Sequence, residues 1–149
     1  MRKHFSANYK KKKQKMKKDI EFPKVIDVGM AIVLERGTDD EQEWYVYLVN
    51  RSEKELETVI INSKGYGEKG GAPVETSTLR KLIEHVPARS AVKIEPIMPE
   101  LFDIANEFWV SYWQAGKVYD RKYVFVKGSV RDRNMTAIPF TGKMGVLII

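Results

Sequence analysis

The sequence predicts an all-β protein built as an antiparallel β-sandwich with one or two short helical turns. Apolar and polar residues alternate with the period of two of a strand, and β-branched and aromatic residues fill these runs. Glycine, proline and acidic clusters separate the runs at short intervals. Several short strands with little helix are typical of a sandwich or barrel. The 149 residues are the normal length of a single domain.

The strands are predicted in chain order from this alternation. The run "IDVGMAIVLER" is the first, "GTDDE" ends it, and "EWYVYLVN", "LETVIINS" and "SAVKIEPI" follow. The stretch "NEFWVSYWQAGKVYDRKYVFVKG" predicts a hairpin, because Ala115 and Gly116 lie between two alternating runs and small residues favour a tight turn. "MGVLII" is the last strand.

Helix signals are confined to two stretches. "TSTLRKLIEHV" offers Thr76, Ser77 or Thr78 as an N-cap and has four apolar residues at helical spacing, which predicts one or two helical turns, with an extended edge segment as the alternative. The apolar residues are Leu79, Leu82, Ile83 and Val86. "PELFDIANE" begins with Pro99, which suits a first helical turn.

The positive charge is concentrated in the first 18 residues. They hold nine basic side chains and no acidic one: Arg2, Lys3, Lys10, Lys11, Lys12, Lys13, Lys15, Lys17 and Lys18. Residues 19–149 hold the other 17 of the 26 basic side chains and all 20 acidic ones, a net charge of −3. We therefore predict a disordered basic tail over 1–18 and a β-sandwich domain over 19–149.

The tail has three interpretations. In the first interpretation the tail contacts a polyanion, foremost RNA, because each lysine that lies near a phosphate releases counterions. Alternatively it is a solvated tail without a partner, or the native chain starts at Met16, since an adenine-rich leader encodes lysine runs.

The glycines of "SKGYGEKGG" match the pattern Gly-x-Gly-x-x-Gly at Gly65, Gly67 and Gly70. A dinucleotide cradle needs a helix after the last glycine, and "APVETST" follows here, with a proline and β-branched residues. We predict a loop between sandwich strands rather than a nucleotide site.

Other catalytic patterns are sparse. The chain has no cysteine, and its two histidines, His4 and His85, are far apart, so we expect no catalytic residue, metal site or cofactor. The fold could still bring two carboxylates together as an acid–base pair, so a small hydrolase stays an alternative. The absence of cysteine, of a signal-peptide core and of an apolar run that spans a bilayer predicts a cytoplasmic protein with no membrane contact.

The stretch "KVYDRKYVFVK" predicts a second RNA contact. Alternation places cations and rings on one face of a strand, where they stack bases and neutralise phosphates. The RNA-binding candidates on this face are Lys117, Tyr119, Arg121 and Tyr123. The alternative is a sandwich strand whose aromatics fill the core while the cations lie at its rim.

The tryptophans on the predicted strands are expected in the core, with a carbohydrate platform or a partner groove as the alternative. They are Trp44, Trp109 and Trp113.

The stretch "WYVYLVNRSEKELETVIINSKGYG", continued by "TSTLR", "VKIEPI", "NEFWVSYWQAGKVYDRKYVF" and "GVLI", resembles a family of small uncharacterised cytosolic proteins of Bacteroidota. The resemblance covers nearly all of the chain from Met16 and implies an immunoglobulin-like sandwich. Such families are at times named phenylalanyl-tRNA synthetase alpha subunit. The synthetase pattern Gly-x-Gly-x-Gly-x-x-Arg, laid on Gly65 and Gly67, places its third glycine on Lys69 and its arginine on Ala72. The residues therefore do not support that name.

The sequence thus predicts a non-catalytic cytoplasmic binding module whose leading partner is RNA or a ribonucleoprotein such as the ribosome, contacted through the basic tail. A protein–protein adaptor without a nucleic-acid role is the competing hypothesis, and a small hydrolase is the third.

Overall fold

A computed structural model describes residues 23–149, and the tail predicted over 1–18 lies outside this range. Within the described range, ten strands form two antiparallel sheets, which confirms the predicted all-β sandwich. The strands are β1 (Val28–Arg36), β2 (Gln42–Asn50), β3 (Leu56–Lys69), β4 (Ala72–Glu75), β5 (Leu79–Val86), β6 (Ser90–Pro96), β7 (Ala105–Gln114), β8 (Lys117–Phe125), β9 (Thr136–Ile138) and β10 (Lys143–Ile148). The immunoglobulin-like assignment stays a prediction.

The first sheet, sheet A, has the strand order β6-β2-β1-β10-β9. The strand β1 pairs along its whole length with β2, from Val28 opposite Asn50 to Arg36 opposite Gln42. On its other side β1 pairs with β10. The first and last strands of the described range therefore lie side by side.

The second sheet, sheet B, is arranged around β3, which is 14 residues long. On one side of β3 lies β7, followed by β8; on the other side lie β5 and, further along, β4. The β7–β8 turn has φ of 49° at Ala115 and 77° at Gly116. Positive φ at both central residues is the conformation of the tight hairpin turn, so the predicted hairpin is confirmed.

One apolar core fills the space between the two sheets. Its buried side chains include Met30, Ile32, Val46 and Leu48 from sheet A, and Leu56, Val59, Ile61, Phe108, Val110, Tyr123 and Phe125 from sheet B. A 3₁₀ turn over Pro99–Asp103 packs at the rim of this core, where Phe102 meets Trp44 edge to face at a centroid distance of 5.2 Å. This turn confirms the predicted short helical element at Pro99.

The helix predicted in "TSTLRKLIEHV" is wrong, and the alternative, an extended edge segment, is confirmed. The segment forms β5, which pairs with β3 from Val86 opposite Leu56 to Leu79 opposite Ser63. Its apolar residues do not form one buried stripe, because Val86 is buried while Leu79 and Leu82 are 56% and 61% exposed. Pairing with β3 stabilises the extended conformation instead.

The loop predicted for the glycines is also wrong for Gly65 and Gly67, which lie inside β3. An added Cβ would lie 2.9 Å from Ile104 Cδ1 at Gly65 and 3.0 Å from Ile104 Cγ2 at Gly67. The two glycines therefore let the buried Ile104 pack directly on the backbone of β3. The turn itself is made by Gly70 and Gly71, with φ of 60° and 79°.

On the outer face of sheet A, apolar side chains of the sheet bury one another in a small second cluster. Ala31, Val33 and Val49 are fully buried there, and Ile138 packs with them. Gly145 lies beneath Ile138, whose Cγ1 would be 3.1 Å from an added Cβ. Across residues 23–149 we find no helix with the length and apolarity needed to cross a membrane.

Candidate functional site

The outer face of sheet B carries two large aromatic side chains that no element of residues 23–149 covers. Trp109 and Trp113 lie on β7 and are 47% and 46% exposed. Alternation along β7 directs Phe108, Val110 and Tyr112 into the core and the two tryptophans outward. The prediction that Trp109 and Trp113 lie in the core is therefore wrong, and we call this outer surface the tryptophan face.

Trp109 is fixed at its polar edge. Its Nε1 donates a hydrogen bond to Asp120 Oδ1 on β8 at 2.5 Å. Lys122, directly opposite Trp109 on β8, places its Nζ 5.7 Å from the ring centroid and 3.6 Å from Glu107 Oε1. The indole is thus held in one orientation beside a cation, while about half of its surface stays open to a ligand.

Trp113 lies beside an irregularity in β3. The register between β3 and β7 shifts between Glu57 and Ile60, and Thr58 has a φ of 50°. A β-bulge of this kind re-aims the side chains next to it. Glu57, which is opposite Trp113, is consequently exposed together with Thr58.

A group of potential metal ligands lies at the same end of the sheet. The donor atoms of Glu55, Glu57 and His85 lie within 4.8 Å of one another, and His85 Nδ1 is 3.8 Å from Glu55 Oε2. The pairing of β3 with β5 brings these three residues together, so no local sequence pattern predicts the cluster. All three side chains are exposed, and an exposed set of three ligands leaves most of a cation's coordination to water.

The predicted RNA contacts on β8 lie on the core side of that strand. Tyr123 is 1% exposed, and its hydroxyl donates to the carbonyl oxygen of Val28. Tyr119 stacks on the buried Tyr112 with parallel rings 5.1 Å apart. Burial raises the pKa of Tyr123 to about 12. The ring of Tyr123 therefore offers no face to a base in this structure.

The cations of this group lie at the rim. The guanidinium carbon of Arg121 is 4.4 Å from the Tyr123 ring centroid, and its Nη1 donates to the carbonyl oxygen of Val25 at 3.4 Å. Lys117 is exposed at the hairpin end of β8. The arrangement of β8 is that of the alternative interpretation, with aromatics in the core and cations at its edge.

The nine basic residues of the predicted tail, Arg2 to Lys18, lie outside the described residues. The chain enters the described range beside β8, where Pro23 and Lys24 line a surface depression with Asp120 and Arg121. Asp120 is also the hydrogen-bond acceptor of Trp109. Pro23, where the described range begins, therefore lies at the edge of the tryptophan face.

A buried carboxylate forms a second polar cluster on the outer face of sheet A. Glu35 accepts a hydrogen bond from the Tyr47 hydroxyl at 3.1 Å, pairs with Lys93 Nζ at 2.7 Å and also pairs with Lys143. Burial raises the pKa of Glu35, but the hydrogen bonds from Lys143, Lys93 and Tyr47 outweigh burial and leave the pKa below its ordinary value.

The same contacts fix the charge of the two lysines. The hydrogen bond to Glu35 raises the pKa of both Lys93 and Lys143 against the opposing effect of desolvation. Both ammonium groups therefore stay protonated at neutral pH, and neither supplies the neutral amine that a Schiff-base nucleophile requires. We interpret this cluster as a structural ion-pair network.

A surface cavity of about 240 Å³ opens between the two sheets and is lined mainly by residues of β3, β6 and β7. Ser63 Oγ lies there and donates to Glu95 Oε1 at 3.1 Å. Among the described residues that line the cavity, Glu95 is the one carboxylate, so the cavity does not hold the carboxylate pair that the hydrolase alternative requires.

Comparison with known proteins found no matching family model, no matching curated protein and no matching solved structure. The resemblance to the Bacteroidota family stays a prediction, and the case for a function rests on the geometry of the described residues.

Proposed function

We propose that this protein is a non-catalytic binding module that binds single-stranded RNA over the tryptophan face. The observation that carries the proposal is the pair of half-exposed rings, Trp109 and Trp113, on one open sheet face. Bases stack on such rings with little regard to sequence, because every base has a π-face. Four residues along a strand separate the two rings by roughly 13 Å.

The charges on and around this face support the proposal. Lys122 lies beside Trp109, and the cross-strand partner of Trp109 on β3, Asn62, is itself opposite Arg80 on β5. The carboxylate of Glu107 pairs with Lys122, and the carboxylate of Asp120 accepts a hydrogen bond from the Trp109 indole. The basic residues 2–18 precede Pro23, which lies at this edge, and in this proposal they supply the phosphate contacts. We propose the cytoplasm as the compartment, since the chain contains no cysteine.

Fluorescence anisotropy with a labelled single-stranded uridine oligomer tests the tryptophan face. We expect Trp109→Ala and Trp113→Ala each to weaken binding about 5- to 150-fold, the equivalent of about 1–3 kcal/mol for one stacked base. Met144→Ala is the matched control, because Met144 is 48% exposed and lies on β10 of the other sheet. Equal affinities of the two tryptophan variants and the control would refute the proposal.

A salt titration tests the contribution of the tail. A chain that starts at Met16 lacks seven of the nine clustered basic residues. At about 0.7 counterions per contact, seven contacts change the slope of log affinity against log salt by at most about 5. Identical slopes for the full chain and the shorter chain would remove the tail from the proposal.

The mixed charge of the tryptophan face also fits the second candidate, a protein–protein adaptor. Glu57, Glu107 and Asp120 lie on or beside this face together with its cations. If the full chain shows no saturable RNA binding while Trp109→Ala and Trp113→Ala abolish the capture of one defined protein, the adaptor takes first place.

A further inference from the structure

The strand β5 ends sheet B with an unpaired edge. It pairs with β3 on one side, and no strand of the described range pairs with its other side. Its eight residues, LRKLIEHV, contain neither glycine nor proline, and Leu79 and Leu82 are 56% and 61% exposed. A long unpaired edge that carries exposed apolar side chains is a template for another strand.

The other edge strands of the described range carry features that discourage pairing. The strand β6 contains a register shift opposite β2 and ends at Pro96, β9 is three residues long, and β4 is four residues long and contains Pro73. Beside β8, Val25 accepts a hydrogen bond from Arg121. Bulges, proline, short length and a covering segment all protect sheet edges. The strand β5 has none of these four features, and its protection consists of charged side chains, among them the inward-pointing Lys81.

We propose that β5 pairs with the β5 of a second copy of this chain, antiparallel and centred on Leu82. The charge sequence of the strand supports a second copy as the occupant, because Arg80 and Glu84 lie two residues on either side of Leu82. In a two-fold pair centred on Leu82, Arg80 is opposite Glu84 of the second copy, and Glu84 is opposite its Arg80. Opposite charges at directly facing positions stabilise strand pairs.

The geometry of strand pairing limits the possible centres. Directly opposite residues point to the same face, and side chains alternate between faces, so a two-fold axis must place one residue opposite its own copy. Centres at Arg80, Lys81 or Glu84 bring like charges face to face. A centre at Ile83 places Glu84 opposite Leu82 and Lys81 opposite His85. Among these five positions, the centre at Leu82 alone satisfies both Arg80 and Glu84.

The orientation of neighbouring side chains is compatible with this pairing. Lys81 donates to the carbonyl oxygen of Ile94 on β6, so its ammonium group is engaged on the inner side of the strand. Leu82 is opposite Ile60, which in turn is opposite Ser111 on β7. The dimer would therefore join the tryptophan faces of two copies into one continuous surface. The pairing itself does not depend on RNA binding.

Sedimentation equilibrium of the full chain without nucleic acid tests the assembly. We expect a mass of twice 17.2 kDa that falls toward the monomer on dilution. Arg80→Glu and Glu84→Arg should each give monomers, and the double exchange should restore the dimer. The matched control is Arg36→Glu with Asp40→Arg, an exposed ion pair of the same i,i+4 spacing outside β5. A monomer at all concentrations, or single variants that stay dimeric, would overturn the proposal.

Disulfide trapping tests the register. The chain contains no cysteine, so Leu82→Cys introduces a single thiol. Directly opposite residues have Cα atoms about 4.5–5.5 Å apart, within the range of a disulfide. We expect oxidised Leu82→Cys to run as a covalent dimer and Leu79→Cys, which is opposite His85, to stay unlinked. Far-UV circular dichroism establishes that each variant is folded. Equal cross-linking of the two variants, or cross-linking of Leu79→Cys alone, would contradict the register.

Discussion

Asn50 lies at the end of β2 and is fully buried, and its side chain joins two turns of the sandwich. Its Nδ2 donates to the carbonyl oxygens of Lys54 and Pro87 at 2.9 and 3.0 Å. Its Oδ1 accepts from the amide and the hydroxyl of Ser52 at 3.0 and 2.7 Å. One amide group thus connects the β2–β3 turn to the β5–β6 turn.

Replacing Asn50 by alanine removes four hydrogen bonds, each of which contributes about 0.5–1.5 kcal/mol net. The carbonyl oxygen of Lys54 keeps Gln114 Nε2 as a donor and gains the released Ser52 hydroxyl, and that of Pro87 keeps the Ser90 hydroxyl, so neither is left unpaired. Four such bonds together contribute about 2–6 kcal/mol, and we expect Asn50→Ala to lower the free energy of unfolding by an amount in the lower half of this range, about 2–4 kcal/mol. Asn50→Asp should cost more at neutral pH, because a carboxylate oxygen would then face two carbonyl oxygens.

Urea denaturation followed by far-UV circular dichroism measures these losses. Asn134→Ala is the control, because exposed Asn134 donates one hydrogen bond, to the carbonyl oxygen of Ser129; its loss should stay below about 1 kcal/mol. A loss for Asn50→Ala no larger than for Asn134→Ala would refute the role of Asn50. An Asn50→Asp variant milder than the alanine variant would refute the assigned orientation of the amide.

Three further predictions concern other parts of the described chain. Folding lowers the pKa of Glu35, so the contribution of its carboxylate to stability is present above the ordinary carboxylate pKa and is lost as pH falls through the pKa of the folded state. The difference in unfolding free energy between wild type and Glu35→Gln should therefore shrink in acid, as measured by urea titrations at several pH values. It should also shrink in strong alkali, where Lys93 and Lys143, whose pKa values are raised, lose their protons. Tyr123→Phe should cost about 1 kcal/mol and remove one late-ionising tyrosine, near pH 12, from the alkaline absorbance titration. Gly70→Ala should cost about 1–2 kcal/mol in chemical denaturation, because φ is +60° although the space around it is open, whereas Gly70→Asn should cost less.

The strands of this fold were predictable where alternation was regular and the turn chemistry was local. The β7–β8 hairpin is an example, since Ala115 and Gly116 form its turn without help from distant residues. The glycines of β3 and the strand β5 were not predictable in this way. Their conformations depend on Ile104 and on pairing with β3, both supplied from elsewhere in the chain.

The candidate site shows what alternation leaves undetermined. Both faces of β7 carry aromatic side chains, Phe108 and Tyr112 on one and Trp109 and Trp113 on the other. A period of two separates the faces but does not tell which one meets the opposite sheet, so the exposed tryptophans were assigned to the core. Glu35 and Lys143 are adjacent only because β1 pairs with β10, a contact without a local sequence signal.

The pairing of β1 with β10 places Met30 opposite Ile148, at opposite ends of the described chain. A ribosome delivers β1 and β2 long before β10, and until then one edge of β1 has no partner. Closing so large a loop carries an entropic cost that must be met before the new contacts form. Sheet A is therefore completed only after β10 has been made, and the growing polypeptide passes through a stage in which the apolar residues Met30, Ala31, Ile32 and Val33 form an unpaired edge open to chaperones or to aggregation.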